Sequence, residues 1–457
     1  MMRRSLALFT IAALMLGLSA CSQNGGNNDE TSADTTLADE MSNTAPITSA
    51  PETTAANKVE LTPVTTEDIP TFSGGAKKQD YNCGDGVYMR RIEMVLTTEL
   101  NSFIKGLPDL GYTQTSERDT NGNLFYSFKK DGTALLVSFF KYDKIVNLTV
   151  LPYDPYEAYA DIYTPDGGES GNIEPLITMV GLADQDKNGM SFIIRTTTGS
   201  FIVIDGGWSG VGEGKNILSI LKEQNTGDGL PVVAAWILTH PHSDHIGGMS
   251  DIAAAYYDEI DLRRVIFNFT DDELLAQSDS KAMLESGSSA LKVIRNTLNN
   301  QKKWGNAQVI KPHTGDVLYI DGVQVEILQT QEDVFPDTDA LLYNNAASMA
   351  FKVTAGEHSA LFTGDLSAKY MLSLANRYAG TLKSDILQAN HHGRTHGKTE
   401  VYSLVSPSIV LWPTTNASFE EYRSKDYNQY LLNNVSRHYI SASGSVTLSF
   451  KTLEEIK

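Results

Sequence analysis

Thr239-His240-Pro241-His242-Ser243-Asp244-His245-Ile246-Gly247-Gly248 is the stretch that decides how this chain is read. It packs three imidazoles and one carboxylate into six residues. The apolar run from Pro231 to Leu238 leads in, and a small-residue segment leads out. That order predicts a buried strand, then a loop, then a helix start, with the helix expected around Met249 to Tyr257. His240, His242, Asp244 and His245 would then stand together at the mouth of a sheet. Neutral imidazole nitrogens and carboxylates are the donors zinc prefers. The alternation His-x-His-x-Asp-His lets two residues face one ion and the next two face another. A chance His-rich turn is the bland alternative, and four ligand-type residues at this spacing argue against it.

Outward from this stretch the chain alternates strands and helices, which predicts an α/β layered domain from about Asn172. Strands at Ser191 to Thr196 and Ser200 to Ile204 form a hairpin that ends in Asp205-Gly206-Gly207. Further strands are expected at Leu262 to Phe269, Val317 to Ile320, Val323 to Leu328, Met349 to Thr354, Ala360 to Thr363, Asp385 to Ala389, Ser408 to Trp412 and Ser445 to Phe450. Two of these run into polar residues: Gly364-Asp365, and Asn390-His391-His392-Gly393. Three separated strands thus end in donor-type residues, and strand ends are where such sheets place their chemistry.

These motifs together resemble the metallo-β-lactamase fold. The His240-x-His242-x-Asp244-His245 signature, Asp205-Gly206-Gly207 before it, and Thr363-Gly364-Asp365 and Asn390-His391-His392-Gly393 after it follow that family's order. Within the superfamily the chain is most similar to the hydrolase domain of DNA-uptake competence proteins and to phosphorylcholine esterases. The resemblance implies an αββα sandwich over residues 172–457 and two divalent ions, zinc or alternatively manganese. It implies that His240, His242 and Asp365 hold the first ion. Asp244, His245, Asp365 and His392 would hold the second, with Asp365 bridging. His391 is left to support a ligand or contact a phosphate, the choice between the two histidines staying open. The family's usual third histidine on the first ion has no counterpart. Its place falls in Asn344-Asn345-Ala346-Ala347-Ser348, with Ala347 the nearest equivalent. Arg394 replaces a small residue, and a guanidinium there suits bidentate phosphate binding.

The expected activity is metal-dependent hydrolysis, of phosphodiesters by subfamily resemblance. Asp244, His391 and Arg394 are the catalytic candidates beyond pure ligation. The alternatives are hydrolysis of lactams or lactones, and a surface binding protein with a degraded metal site. Expected substrates are nucleic-acid fragments or choline-phosphate-type envelope esters. The formal net charge of −20 disfavours sequence-independent nucleic-acid binding, which needs basic contacts. No serine or cysteine has an evident base partner, so a covalent mechanism has little support.

The N-terminal part reads differently. Met1 to Ala20 has the charged start and apolar core of an export signal, too short for a lasting membrane span. It ends in Leu18-Ser19-Ala20-Cys21, which resembles a bacterial lipobox, so Cys21 is the expected lipidation site. The expected location is the extracytoplasmic face of the cell membrane. Residues 21–76, poor in aliphatic side chains, are expected to form a disordered tether. Residues 77–155 are expected to form a small α+β domain, a helix at Thr97 to Leu107 on an antiparallel sheet of three strands (Leu124 to Lys129, Thr133 to Tyr142 and Lys144 to Leu151), serving as spacer or recognition module. Cys83 is read as a buried small hydrophobe, and His313 as a surface or packing residue. His358 and His438 are read as lacking ligand-type neighbours. Trp208, Trp236, Trp304, Tyr343 and Trp412 are assigned to core packing or loops.

Overall fold

The computed structural model describes residues 59–165, 170–270, 281–341 and 344–456. The export signal, Cys21, most of the expected tether and Tyr343 lie outside these. Among the described residues, no helix is long and apolar enough to cross a membrane.

Two sheets form the centre. The first contains β7 (Leu176–Met179), β8 (Ser191–Arg195), β9 (Phe201–Asp205), β10 (Val232–Ile237), β12 (Arg264–Ile266), β13 (Gln308–Ile310) and β21 (Val446–Ser449), in the order β13-β12-β10-β9-β8-β7-β21. A two-residue strand, β11 (Asp261–Leu262), also pairs with β10. The second sheet runs β14 (Val317–Ile320), β15 (Val323–Gln329), β16 (Ala350–Ala355), β17 (His358–Phe362), β18 (Ile386–Gln388), β19 (Ile409–Trp412) and β20 (Arg437–Ile440) in sequence order. Their facing sides share one core. Phe192, Ile202 and Ile204 of one sheet meet Val325, Phe351 and Phe362 of the other. The Phe192 and Phe362 rings meet edge to face at 5.1 Å.

Each sheet is covered outside by helices. The helices Glu213–Gln224, Ser243–Ala255 and Lys281–Leu298 flank the first sheet. The helices Ala368–Tyr378, Thr399–Val405 and Asp426–Asn434 flank the second. This is the expected αββα sandwich. The central strands of the first sheet are apolar on both faces, as Phe201–Asp205, buried throughout, shows, whereas β14, β15 and β16 of the second alternate buried apolar residues with half-buried ones. The strands β9, β10 and β12 run parallel, as do β17, β18 and β19. Parallel strands deliver their carboxyl ends to one edge, and that edge holds the site.

The N-terminal sheet is larger than expected. It has six antiparallel strands rather than three: β1 (Lys77–Asn82), β2 (Tyr88–Glu93), β3 (Thr113–Thr120), β4 (Asn123–Lys130), β5 (Thr133–Phe140) and β6 (Ile145–Leu151). Their order is β1-β2-β6-β5-β4-β3. The sequence reading missed β1, β2 and β3: the side chains of β1 and β3 are almost all polar and exposed, and in β2 only Met89 and Ile92 are buried, three residues apart, leaving no alternation to see. The end of the expected tether also needs correction. Val64, Ile69 and Phe72 are buried with the Thr97–Gly106 helix against one face of this sheet. These apolar residues stand few and far apart in sequence, but together they cover that face.

The other face of the sheet joins the sandwich. Tyr81, Cys83, Phe125 and Phe140 pack in one core with Leu328, Phe335, Tyr370 and Tyr378. Arg377 fastens the junction. Its Nε donates to Asp143 at 2.6 Å and its Nη1 to Asp333 at 2.8 Å, while the guanidinium lies 3.7 Å from the Phe140 ring centre. The Arg377 carbonyl accepts from both Asn121 and Asn123 side chains. His313 is buried here rather than exposed, with Nδ1 2.9 Å from Glu332.

Candidate metal centre

The donor residues arrive from the ends of four strands. Asp205 closes β9. Thr239 and His240 follow β10. Asp365 follows β17, and His391 and His392 follow β18. The helix after β10 begins at Ser243, six residues earlier than expected, with His242 as its cap residue. Asp244 and His245 therefore sit in its first turn, where the exposed amides favour the Asp244 carboxylate. Gly247 and Gly248 explain how this turn comes so close to the Asp205 loop. A Cβ on Gly248 would lie 2.0 Å from the Gly206 carbonyl oxygen, and one on Gly247 2.1 Å from the Ser209 nitrogen. Asp205, His391, His392 and His396 all have left-handed backbones, with φ of 57°, 49°, 57° and 68°. Such conformations cost about 1–3 kcal/mol each in a non-glycine residue, and here they gather at one place.

The expected ligands meet around Asp365. Its Oδ2 lies 3.8 Å from His240 Nε2, 3.3 Å from His245 Nε2 and 3.6 Å from His392 Nε2. Asp244 Oδ2 is 3.3 Å from His392 Nε2. Two donor groups result: Asp244, His245, Asp365 and His392, and His240, His242 and Asp365. Asp365 belongs to both, as the resemblance implied. His392 is the fully enclosed member of the histidine pair. His391 stands further out, its Nε2 3.5 Å from Asp365 Oδ2 and its Nδ1 hydrogen-bonded to Thr395 Oγ1 at 2.7 Å.

Hydrogen bonds behind the ligands fix which nitrogen His245, His392 and His240 present. His245 Nδ1 donates to Asp205 at 2.7 Å, and His392 Nδ1 donates to the Pro413 carbonyl at 2.7 Å. Both Nε2 lone pairs then face each other at 3.3 Å. Thr239 Oγ1 donates to Asp205 at 2.7 Å, so it accepts from His240 Nδ1 at 3.1 Å, and His240 Nε2 also turns inward. Asp365 Oδ1 is buried without a partner. The interior of the cluster is thus lined with acceptors, and acceptors alone repel unless a cation lies between them. The donor set fits divalent ions on this ground.

The titration behaviour says the same. Burial pulls His392 down, but Asp365 and Asp244 outweigh it and push it up to about 9. Burial also opposes charge on His245, yet Asp365 and Asp205 hold it well above the ordinary imidazole value. Burial alone would raise Asp244, and His245 and His392 bring it below the usual carboxylate range. His240, further from the acids, is held well below its ordinary value by burial. The buried acids call for positive charge, which a divalent ion held by these residues would supply.

The Asn344–Ser348 segment lies where the missing third histidine was expected. It adjoins the bridging residue: the Asp365 amide donates to Ser348 Oγ at 3.3 Å, and the Met349 amide to the Thr239 carbonyl at 2.9 Å. Ala347 offers no donor, so the two groups remain unequal, four residues against three. Arg394 sits beside His391 with its guanidinium 5.8 Å from the Tyr422 ring centre and its Nε buried without a partner.

Two site residues escaped the sequence reading. His396 places its ring 5.1 Å from that of His391, and its Nδ1 is buried without a partner. The run His391-His392-Gly393-Arg394-Thr395-His396 was the signal for it. Glu213 is buried behind Gly207, takes the Trp208 amide at 2.6 Å, and is raised by burial to about 7. Nothing in its local sequence marks it. Away from the site, His358 does have an acidic neighbour, Asp385 at 3.3 Å, paired across strands distant in sequence. His438 accepts from Trp412 Nε1 at 3.1 Å.

Residues 185–394 match the family model of the metallo-beta-lactamase superfamily. This is a metallo-beta-lactamase domain. The matched span contains every expected ligand of the domain. The chain is also 36% identical over 92 residues to the competence protein ComA of Neisseria gonorrhoeae, covering 20% of this chain and 12% of that protein. Among solved structures it is similar to CmlA, a diiron beta-hydroxylase from Streptomyces venezuelae. There the TM-score is 0.35 and the identity 13%, over 61% of this chain and 54% of that one. A long form RNase Z from yeast gives a TM-score of 0.34 and 10% identity, over 62% and 42%.

Proposed function

We propose that the metallo-beta-lactamase domain is a metal-dependent phosphodiesterase. One observation carries this reading: two adjoining donor groups share the Asp365 carboxylate, as a paired-ion site requires. Two divalent ions, held by Asp244, His245, Asp365 and His392 and by His240, His242 and Asp365, would supply a water activated near neutral pH and positive charge for the substrate oxygens. Asp244, His245 and His392 hold one side of the cluster, and His240 and His242 the other. Asp205 and Pro413 keep the histidine lone pairs turned inward. His391, set at the edge of the cluster beside Thr395, would contact a phosphoryl oxygen of the substrate. The Arg394 guanidinium, with an unpartnered Nε, adds a charged donor beside it. Zinc or manganese suits the nitrogen-and-carboxylate donors.

We also infer that Cys21 carries lipid and holds the domain at the extracytoplasmic face of the membrane, from Leu18-Ser19-Ala20-Cys21. Cys21→Ala should release the protein from membranes; continued attachment refutes lipidation. For the activity, purified protein should bind about two metal equivalents by elemental analysis and cleave a bis-aryl phosphate. His242→Ala combined with Asp365→Ala should remove both properties, and cleavage that survives the pair excludes the metal mechanism.

A further inference from the structure

The centre is flanked by two aromatic rings, each with a cationic side chain over it. Lys187 Nζ lies 5.3 Å from the Trp208 ring centre, and the Arg394 guanidinium lies 5.8 Å from that of Tyr422. Both residues are half-buried. Trp208 differs in this from Trp236, Trp304 and Trp412, which are all buried.

Hydrogen bonds tie both rings to the ligand loops. Trp208 Nε1 donates to the Asn188 carbonyl. The Asn188 side chain accepts from Thr414 Oγ1 at 3.0 Å and the Thr415 amide at 2.8 Å, and donates to Ser418 at 3.0 Å. That segment begins at Pro413, whose carbonyl anchors His392. From there the helix Asn416–Tyr422, seven residues and about 10 Å long, carries Tyr422 to Arg394. Arg394 lies two residues beyond His392, and its own carbonyl accepts from Tyr427 at 2.8 Å. The rings therefore stand at the two ends of one short helix whose start is pinned to a ligand.

We propose that Trp208 and Tyr422 are stacking platforms for planar heterocyclic rings on either side of the metal centre, with Lys187 and Arg394 taking the adjoining phosphate charge. The substrate class is a phosphodiester flanked by nucleobase-like rings. This rests on the phosphodiesterase reading and narrows it. A quaternary ammonium is the poorer fit, because each ring already faces a cation and a second cation there is repelled. A base stacks on a ring of any π-face partner, and Lys187, exposed on a flexible stem, can turn to the phosphate. The overall negative charge is no obstacle to a ligand that meets only these two local cations.

Thymidine monophosphate, which carries one ring and one phosphate but no diester bond, tests binding apart from turnover. It should quench the fluorescence of the metal-loaded protein saturably, and phosphocholine should not. Trp208→Leu should abolish the quenching. Tyr422→Leu should raise KM or lower kcat/KM for a dinucleotide roughly tenfold, the effect of one lost base stack. Trp208→Phe, which keeps an aromatic platform but loses the Nε1 bond to Asn188, should retain several-fold more kcat/KM than Trp208→Leu. No quenching, or phosphocholine binding as tightly as the nucleotide, overturns the platforms. Equal kcat/KM for Trp208→Leu and Trp208→Phe overturns them too. Bis-aryl phosphate cleavage judges the metal site separately, so its absence refutes the phosphodiesterase reading whatever the nucleotide does to the fluorescence.

Discussion

Asp205→Asn isolates how the second donor group keeps its lone pairs turned inward. Asp205 uses both oxygens: Oδ1 accepts the Thr239 amide at 2.8 Å, and Oδ2 accepts Thr239 Oγ1 and His245 Nδ1, each at 2.7 Å. The asparagine is the same size and tolerates the left-handed backbone at φ 57°. Its carbonyl can keep the Thr239 amide, but its amide nitrogen now meets His245 Nδ1. Two donors cannot face each other, so His245 shifts its proton to Nε2 and withdraws a lone pair from the cluster. The site also loses one of its buried negative charges. Loss of a hydrogen-bonded carboxylate behind a ligating histidine costs about 10–100-fold in metal affinity, or about 1.4–2.7 kcal/mol. Chelator-competition titration of parent and variant reads this directly, with the melting temperature of the metal-free proteins as the control for folding. Binding within about twofold of the parent, with unchanged stoichiometry, would refute the tautomer argument.

Two further outcomes concern the frame around the site. Arg377→Met leaves Asp333 buried without its cation and should cost about 3–5 kcal/mol in urea unfolding; a loss under about 1 kcal/mol would show the junction holds without it. The His313–Glu332 pair should make stability depend on pH at both ends. Burial opposes the His313 charge, but Glu332 raises its pKa, so that contribution is present below about pH 6.5 and fades as pH rises through the folded value. Burial likewise opposes the Glu332 charge, but His313 lowers its pKa, so that share is present above about pH 4.3 and is lost as pH falls through the folded value. Denaturant midpoints across pH should flatten in Glu332→Gln, and an unchanged profile would exclude the pair as its source.

Much of the site was legible because its chemistry is local. His240, His242, Asp244 and His245 lie within one turn of loop and helix, and their spacing alone limits where their side chains can point. Asp365 and His392 were legible as polar residues closing apolar strands. Family order, not spacing, joined them to the first cluster. The polar edge strands β1 and β3, His396 as a site residue, Glu213 and the Asp385 partner of His358 were not legible. Each depends on a neighbour brought close by folding, or on exposure that erases the apolar period.

By itself the sequence determined the donor types, the apolar strands that bury on both faces, and the glycines at Gly247 and Gly248 that permit a backbone approach no side chain could share. Only the tertiary structure decided which nitrogen His245, His240 and His392 offer. That choice belongs to Asp205, Thr239 and Pro413, which reach the ligands from other strand ends. It also decided that the N-terminal sheet shares a core with the sandwich, since burial is a property of two surfaces and one segment of sequence encodes only its own.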